Sequence, residues 1–350
     1  MGAGAGGHDR RQARLRVRRR VQLRGRARRD SAARPRARCE EGGGPVSKRT
    51  VRKVLLALCA GTIIAAAQPV PDNPPEPGGV LVFTAQARDY IFGAGGTLAQ
   101  LAAEGRPIYV VHFGNGEKTA PGMKPSESRL AHEREAKAAA AELGVRETLF
   151  LGHKSGEMSF LSSSELRNQA ITLMRFYKPE SVFFPDWYIH YLRDDDVYRV
   201  GRMAEEAPYG AGNYFLQEMT YMGLLGSGAR YYYFYSPYRP YRAREGGEIR
   251  ALFVGNDVVK GFPKKLAAAA LLESSNQREL DVALERLGAA SEAPNLVTRL
   301  RQDGPAGMAR AFLQQLAETI GARHGVTLAE EFNRLGGGGG LPDYVREHAR

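Results

Sequence analysis

Cysteine is scarce in this chain of 350 residues, which has only Cys39 and Cys59. Both precede the point where an export signal would be cut, so the mature protein is expected to have no disulfide and no thiol chemistry. Long apolar runs are lacking too. The most hydrophobic stretch, Val54 to Ala66, falls short of the roughly 20 residues that span a bilayer. No G-x-S-x-G elbow accompanies a Ser-His-Asp order, which removes a serine hydrolase of the α/β type. Internal repeats are absent. Lysine is missing from residues 1–45, where 14 Arg face only Asp9, Asp30, Glu40 and Glu41.

That last absence explains the net charge of +12. Residues 1–45 hold +10 of it, and Lys48, Arg49, Arg52 and Lys53 hold four more, which leaves residues 54–350 at −2. A folded part so close to neutral has no basic footprint for nucleic acid, and no such partner is expected of it. Residues 1–45 lack hydrophobic periodicity and cannot bury a core. They read either as a disordered basic arm for nucleic acid or anionic lipid, or as a mis-called extension with translation starting near Val46. Residues 46–67 read as a signal peptide: four basic residues, the apolar core, then Ala65-Ala66-Ala67 before Gln68. This predicts an exported protein, periplasmic or secreted, that engages the export machinery and keeps no stable transmembrane span. A retained anchor is the alternative. Leu58, just before Cys59, is too large for a lipoprotein cleavage site.

Residues 68–78 are Pro-rich and read as an extended linker. From residue 79, strands and helices alternate. Strands are expected at Val80–Thr84, Pro107–Phe113, Glu147–Leu151 and Ser181–Phe184, and helices at Gly95–Glu104, Ser126–Leu143 and Ser163–Tyr177. Such spacing implies a mostly parallel sheet with helices on both faces, an α/β fold. The run Tyr231-Tyr232-Tyr233-Phe234-Tyr235 reads as a strand with one buried face or as a platform for stacking carbohydrate. Helices are expected at Phe262–Arg286 and Gly307–Arg323. The main domain is placed at 79–280, followed at 281–350 by a helical C-terminal extension with a Gly-rich break at Gly336–Gly340.

Ala85-Gln86-Ala87-Arg88-Asp89-Tyr90, with Gly93-Ala94-Gly95-Gly96-Thr97-Leu98 behind it, resembles the opening motif A-H-P-D-D-E…G-x-G-G-T-L of the LmbE-like/PIG-L family of zinc-dependent de-N-acetylases. Later matches are Gly116-Glu117, Glu135 with Leu143-Gly144-Val145, Phe150-Leu151-Gly152, Lys178-Pro179, Phe184-Pro185, and Lys265, Ala269 and Gln277. The resemblance implies a Rossmann-like αβα sandwich. It also implies that zinc is held by the motif's His and second Asp and by the last His of a later H-P-D-H segment, with the first Asp as general base.

Those functional positions are mostly changed. Gln86 stands at the first ligand position, Arg88 at the base and Tyr90 at the final Glu, and only Asp89 persists. Asp194-Asp195-Asp196-Val197 lies over H-P-D-H, so Asp196 matches while Val197 replaces the metal-binding His. Gly114 and Ser155 depart from the family's Thr and Asp. A guanidinium stays protonated and cannot act as a base. The expectation is therefore a non-catalytic relative with no cofactor, retaining a pocket of Gln86, Arg88, Asp89, Gly95, Gly96 and Asp196 for an N-acetyl sugar or glycan. Arg88 is expected to pair with Asp89 or Asp196 in the metal's place. The alternative is an active de-N-acetylase using Zn, or a hard cation, held by Asp89, His190, Asp194 and Asp196. The simpler reading of Asp194–Asp196 is a helix cap. His112, His132 and His153 read as core or surface residues. Gly93-Ala94-Gly95 is a weak dinucleotide signal, because no acidic residue closes the second strand.

Overall fold

The computed structural model describes residue 75 and residues 77–187, 194–212, 215–238, 253–290 and 294–335. Strand β1 (Val80–Thr84) is buried along its whole length, as expected for a central strand with both faces covered. It pairs in parallel with β2 (Ile108–Gly114) on one side and β4 (Ser181–Pro185) on the other. Strand β3 (Glu147–His153) extends the sheet beyond β2, and β5 (Tyr231–Tyr235) extends it beyond β4, both in parallel. Two antiparallel strands complete it. β7 (Ala329–Leu335) lies beside β5, and β6 (Phe253–Asp257) forms the far edge, giving the order β3-β2-β1-β4-β5-β7-β6. The chain winds from β1 outward through β2 to β3, then restarts on the other side at β4. Between β1 and β4 lies a topological switch point, where α/β sheets open a crevice at the carboxyl ends of their strands.

Alternation along β1 separates two cores. Val80 and Val82 pack with helices α1 (Ala87–Ala103), α2 (Pro125–Leu143) and α6 (Phe262–Ala270). Leu81 and Phe83 pack with α3 (Ser163–Tyr177) and α4 (Asp195–Gly210). This is the αβα sandwich that the resemblance implied. The run at 231–235 is a strand: Tyr232, Phe234 and Tyr235 are buried while Tyr231 and Tyr233 are half-buried. Among the described residues no helix is long and apolar enough to cross a membrane.

Three expectations change. Helix α1 begins at Ala87 and not at Gly95, so the glycines lie inside a helix and form no loop. Their reason is close packing. A Cβ on Gly93 would sit 2.6 Å from the Tyr235 ring, and one on Gly96 2.8 Å from Val258 Cβ. The helix expected over 262–286 is divided: α6 stops at Ala270, and α7 (Glu273–Ala290) starts a new axis. Among the described residues beyond 280 the chain is not helical throughout, and the break at Gly336–Gly340 lies outside the described residues. After the short α5 (Gln217–Tyr221) and the later α7, helix α8 (Pro294–His324), bent at Gly304 with φ 67, returns the chain so that β7 enters the main sheet.

β7 also repairs α1. The Glu330 carboxylate accepts the backbone N–H groups of Gly96 and Thr97, each at 2.8 Å, in mid-helix. Lys265 donates to Glu330 at 2.6 Å and to the Phe92 carbonyl at 2.7 Å. Lys265 and Glu330 are both buried. A buried ion pair persists only when its remaining donors and acceptors are met in this way.

Candidate functional site

The crevice at the switch point is built from the first turn of α1 and the start of α4. Thr84 ends β1 and donates from its hydroxyl to the Gln86 carbonyl at 2.6 Å. This holds the sharp turn from strand to helix. Gln86 is the N-cap of α1, and its backbone N–H donates to Asp89 Oδ2 at 2.9 Å. Tyr238, just past β5, donates from its hydroxyl to Asp89 Oδ1 at 3.2 Å. Both oxygens of the surviving acidic residue are therefore engaged by protein donors. Burial, reinforced by the nearby Asp194 charge, pushes the Asp89 carboxyl up to about 7.

From the other side, Asp194 caps α4. Its Oδ1 accepts the N–H groups of Asp196 and Val197 at 3.0 and 3.4 Å, and its Oδ2 receives the Gln86 side-chain amide at 3.4 Å. Burial, with Asp196 adding to it, raises the Asp194 carboxyl as well. Asp196 turns away to clasp the loop after β3, accepting Gly156 N–H at 2.5 Å and Met158 N–H at 3.1 Å. Ser155, in that loop, accepts the Gly116 N–H at 3.1 Å. Val197 is fully buried in the core beneath α4. Asp194 alone is the cap; Asp196 is buried and serves the loop after β3. His190 lies outside the described residues.

Arg88 does not pair as expected. No hydrogen bond or ion pair joins it to Asp89 or Asp196 among the described residues. Its NH1 lies 3.1 Å from Glu279 Oε1 on α7, and its guanidinium stacks over Phe92 at 4.4 Å and Tyr238 at 5.6 Å. The physical reason is direction. Residues 88 and 92 share a helix face, so Arg88 lies along α1 towards α7 and not across the crevice. Glu279 and Tyr238 belong to the site but carry no local sequence signal. Only the fold brings residues 149 to 191 positions apart into contact. Gly95 and Gly96 are not in the crevice, since they pack against Lys265 and Val258.

The zinc implied by the resemblance does not fit these donors. Zinc takes ionised oxygen, imidazole or thiolate ligands around an open position. Here an amide, a carboxylate with both oxygens bonded, a core valine and a fixed cation occupy the corresponding places. Among the described residues no three His, Cys, Asp or Glu side chains cluster to hold a metal.

The remaining histidines are mostly interior. His112 is fully buried, stacked on Phe150 and edge-on to Tyr90 and His132. His132, expected on the surface, is buried because Gly116 leaves its ring room beneath the loop. Burial lowers both imidazoles, His132 to about 4. His153 pairs with Gln169 at 2.8 Å.

Comparison with known proteins agrees with this fold. Residues 81–201 match the family profile described as PIG-L, GlcNAc-PI de-N-acetylase. No curated protein matches in sequence. A solved N,N'-diacetylchitobiose deacetylase from Pyrococcus horikoshii, bound to an inhibitor, is similar over 84% of this chain and 95% of its own, at 19% identity and TM-score 0.57. A conserved protein of Thermus thermophilus is similar over 75% and 97%, at 21% identity and TM-score 0.53. The 4-carboxy-2-hydroxymuconate hydratase of Pseudomonas putida is similar over 76% and 99%, at 20% identity and TM-score 0.53. At these identities the likeness concerns the fold alone, and a deacetylase and a hydratase share it. The sheet order and the matched segment thus agree: residues 81–201 carry a match to the PIG-L profile, on a fold shared with these solved structures.

Proposed function

We propose that this chain is a non-catalytic relative of the N-acetyl sugar deacetylases, binding a glycan at the β1/β4 crevice without hydrolysing it. The observation that carries this reading is Arg88, which holds the sequence position of the general base and stacks its guanidinium on Phe92 and Tyr238. A permanent cation cannot take a proton from water, and its charge opposes a metal beside it. The glycan part rests on the similarity to a chitobiose deacetylase. The rival metal set of Asp89, His190, Asp194 and Asp196 is disfavoured, because Asp196 spends both oxygens on backbone N–H groups and Asp194 spends one on them and the other on the Gln86 amide.

The test is acetate release from N-acetylglucosamine conjugates by the full chain, with Zn²⁺, Mg²⁺ or Mn²⁺ added, alongside elemental analysis of bound metal. No turnover and substoichiometric metal are expected. Turnover abolished by Asp89→Ala would establish the enzyme reading instead. We further infer export through residues 46–67, supported by the basic start, the apolar core and Ala65-Ala66-Ala67. A native N-terminus at Gln68 would bear this out, and a retained residue 46 would sink it.

A further inference from the structure

Arg88 is short of partners for a buried cation. The residue is 8% exposed, and its Nε and NH1 atoms have no acceptor aligned with them. Glu279 lies 3.1 Å from Nη1, but its side chain is 46% exposed, so this carboxylate is shared with solvent. The carboxylates inside the crevice are committed elsewhere: Asp89 to Gln86 and Tyr238, Asp194 to the α4 cap, and Asp196 to the loop after β3. Unmet donors on a desolvated guanidinium are costly, and a planar bidentate acceptor answers them best. Phe92 and Tyr238 fix the plane of the fork in advance, so little rotamer freedom is lost when a ligand arrives.

We infer that the ligand of this crevice carries a carboxylate, which displaces Glu279 and takes the free donors of Arg88. The inference rests on the glycan reading above and narrows it to an acidic N-acetyl sugar. A neutral N-acetyl sugar offers hydroxyls and an amide carbonyl but no charge, and leaves the cation unbalanced. A phosphate carries close to two charges, whereas the single charge of a carboxylate balances Arg88 alone. Glu279 serves as the stand-in anion of the empty state.

The test is calorimetric titration of the full chain with three probes. They are N-acetylglucosamine, N-acetylmuramic acid (the same sugar bearing a lactyl carboxylate) and lactate. N-acetylmuramic acid is expected to bind about 10- to 100-fold more tightly than N-acetylglucosamine, the range of a charge-assisted hydrogen bond. Arg88→Gln should abolish that preference, and Arg88→Lys should reduce it by losing the fork. Glu279→Gln should strengthen acid binding by removing the competitor. Thermal unfolding checks that each variant folds. If Arg88→Gln does not fold, Arg88→Lys and Glu279→Gln still decide. Equal binding of the two sugars, or a preference that survives Arg88→Gln, overturns the carboxylate inference and leaves glycan binding standing. Arg88-dependent lactate binding with neither sugar bound supports the carboxylate and ends the glycan reading. Binding of none of the three overturns both.

Discussion

Helix α1 has two halves that differ in what fixes their residues. In its first turn, Arg88 and Asp89 face the crevice and the neighbouring helices, and the roles of the motif positions are all changed but one. In the next two turns, Gly93, Gly95 and Gly96 are held by contact, because Tyr235, Lys265 and Val258 occupy the space a side chain would need. The difference teaches that packing and chemistry are separable within a single motif. A glycine required by a neighbouring backbone or ring cannot drift without unfolding something. A catalytic side chain can be replaced once the neighbouring contacts are rebuilt, as Gln86 and Tyr238 now engage both oxygens of Asp89.

If this contrast is right, the largest effects lie in the second half. Lys265→Met leaves the Glu330 carboxylate buried and unpaired, and should cost about 3–5 kcal/mol in denaturant unfolding. Gly93→Ala pushes a Cβ into the Tyr235 ring and should cost about 1–3 kcal/mol. Loss of less than this from either variant would break the comparison.

The first half should answer more weakly and through pH. The folded-state pKa of Asp89, about 7, lies above its unfolded value. The native state therefore favours the protonated carboxyl, and stability is lost as pH rises through about 7. Asp89→Asn removes that loss, so the variant should gain on the order of 1–2 kcal/mol over the parent at pH 8 and little at pH 4. Thermal melts across this range check it. The buried imidazoles act in the opposite direction. His132, lowered to about 4, and His112 are neutral in the fold, so stability is full above about 6.5 and falls as pH drops through about 4. In His132→Phe, the acid-side fall should be shallower in the same melts. Smallest of all, Gln86→Ala removes one long amide contact to Asp194 and should change stability by less than about 1 kcal/mol.

How much of this was legible in the sequence follows from range. The strands β1 to β5 and helices α2 and α3 announce themselves through short apolar runs and helix stops, because their formation is decided within a dozen residues. The glycines were legible as a motif, but the helix was expected to begin only at Gly95 and begins at Ala87. Nothing local says that a helix containing Gly93, Gly95 and Gly96 survives because Tyr235, Lys265 and Val258 fill the gap. In the site, the Asp194 cap was readable from three consecutive acids before a helix. The partner of Arg88 was not, since Glu279 sits in an ordinary charged helix and is chosen only by how α7 lies against α1. β7 was hidden for a similar reason: its polar sequence, Ala329-Glu330-Glu331-Phe332-Asn333, does not alternate like a strand. Its two acids are buried because Lys265, Arg323 and His324 meet them.

Glu330 carries a consequence for the order of assembly. The mid-helix N–H groups of Gly96 and Thr97 wait for a carboxylate 233 and 234 residues further along the chain. During synthesis, β1 to β4 can collapse around α2 and α3 while the helix above the crevice still lacks that support. The helix is completed only when almost the whole polypeptide has left the ribosome. The middle of α1 therefore matures late, and a chain cut short before residue 330 would leave Gly96 and Thr97 without this acceptor.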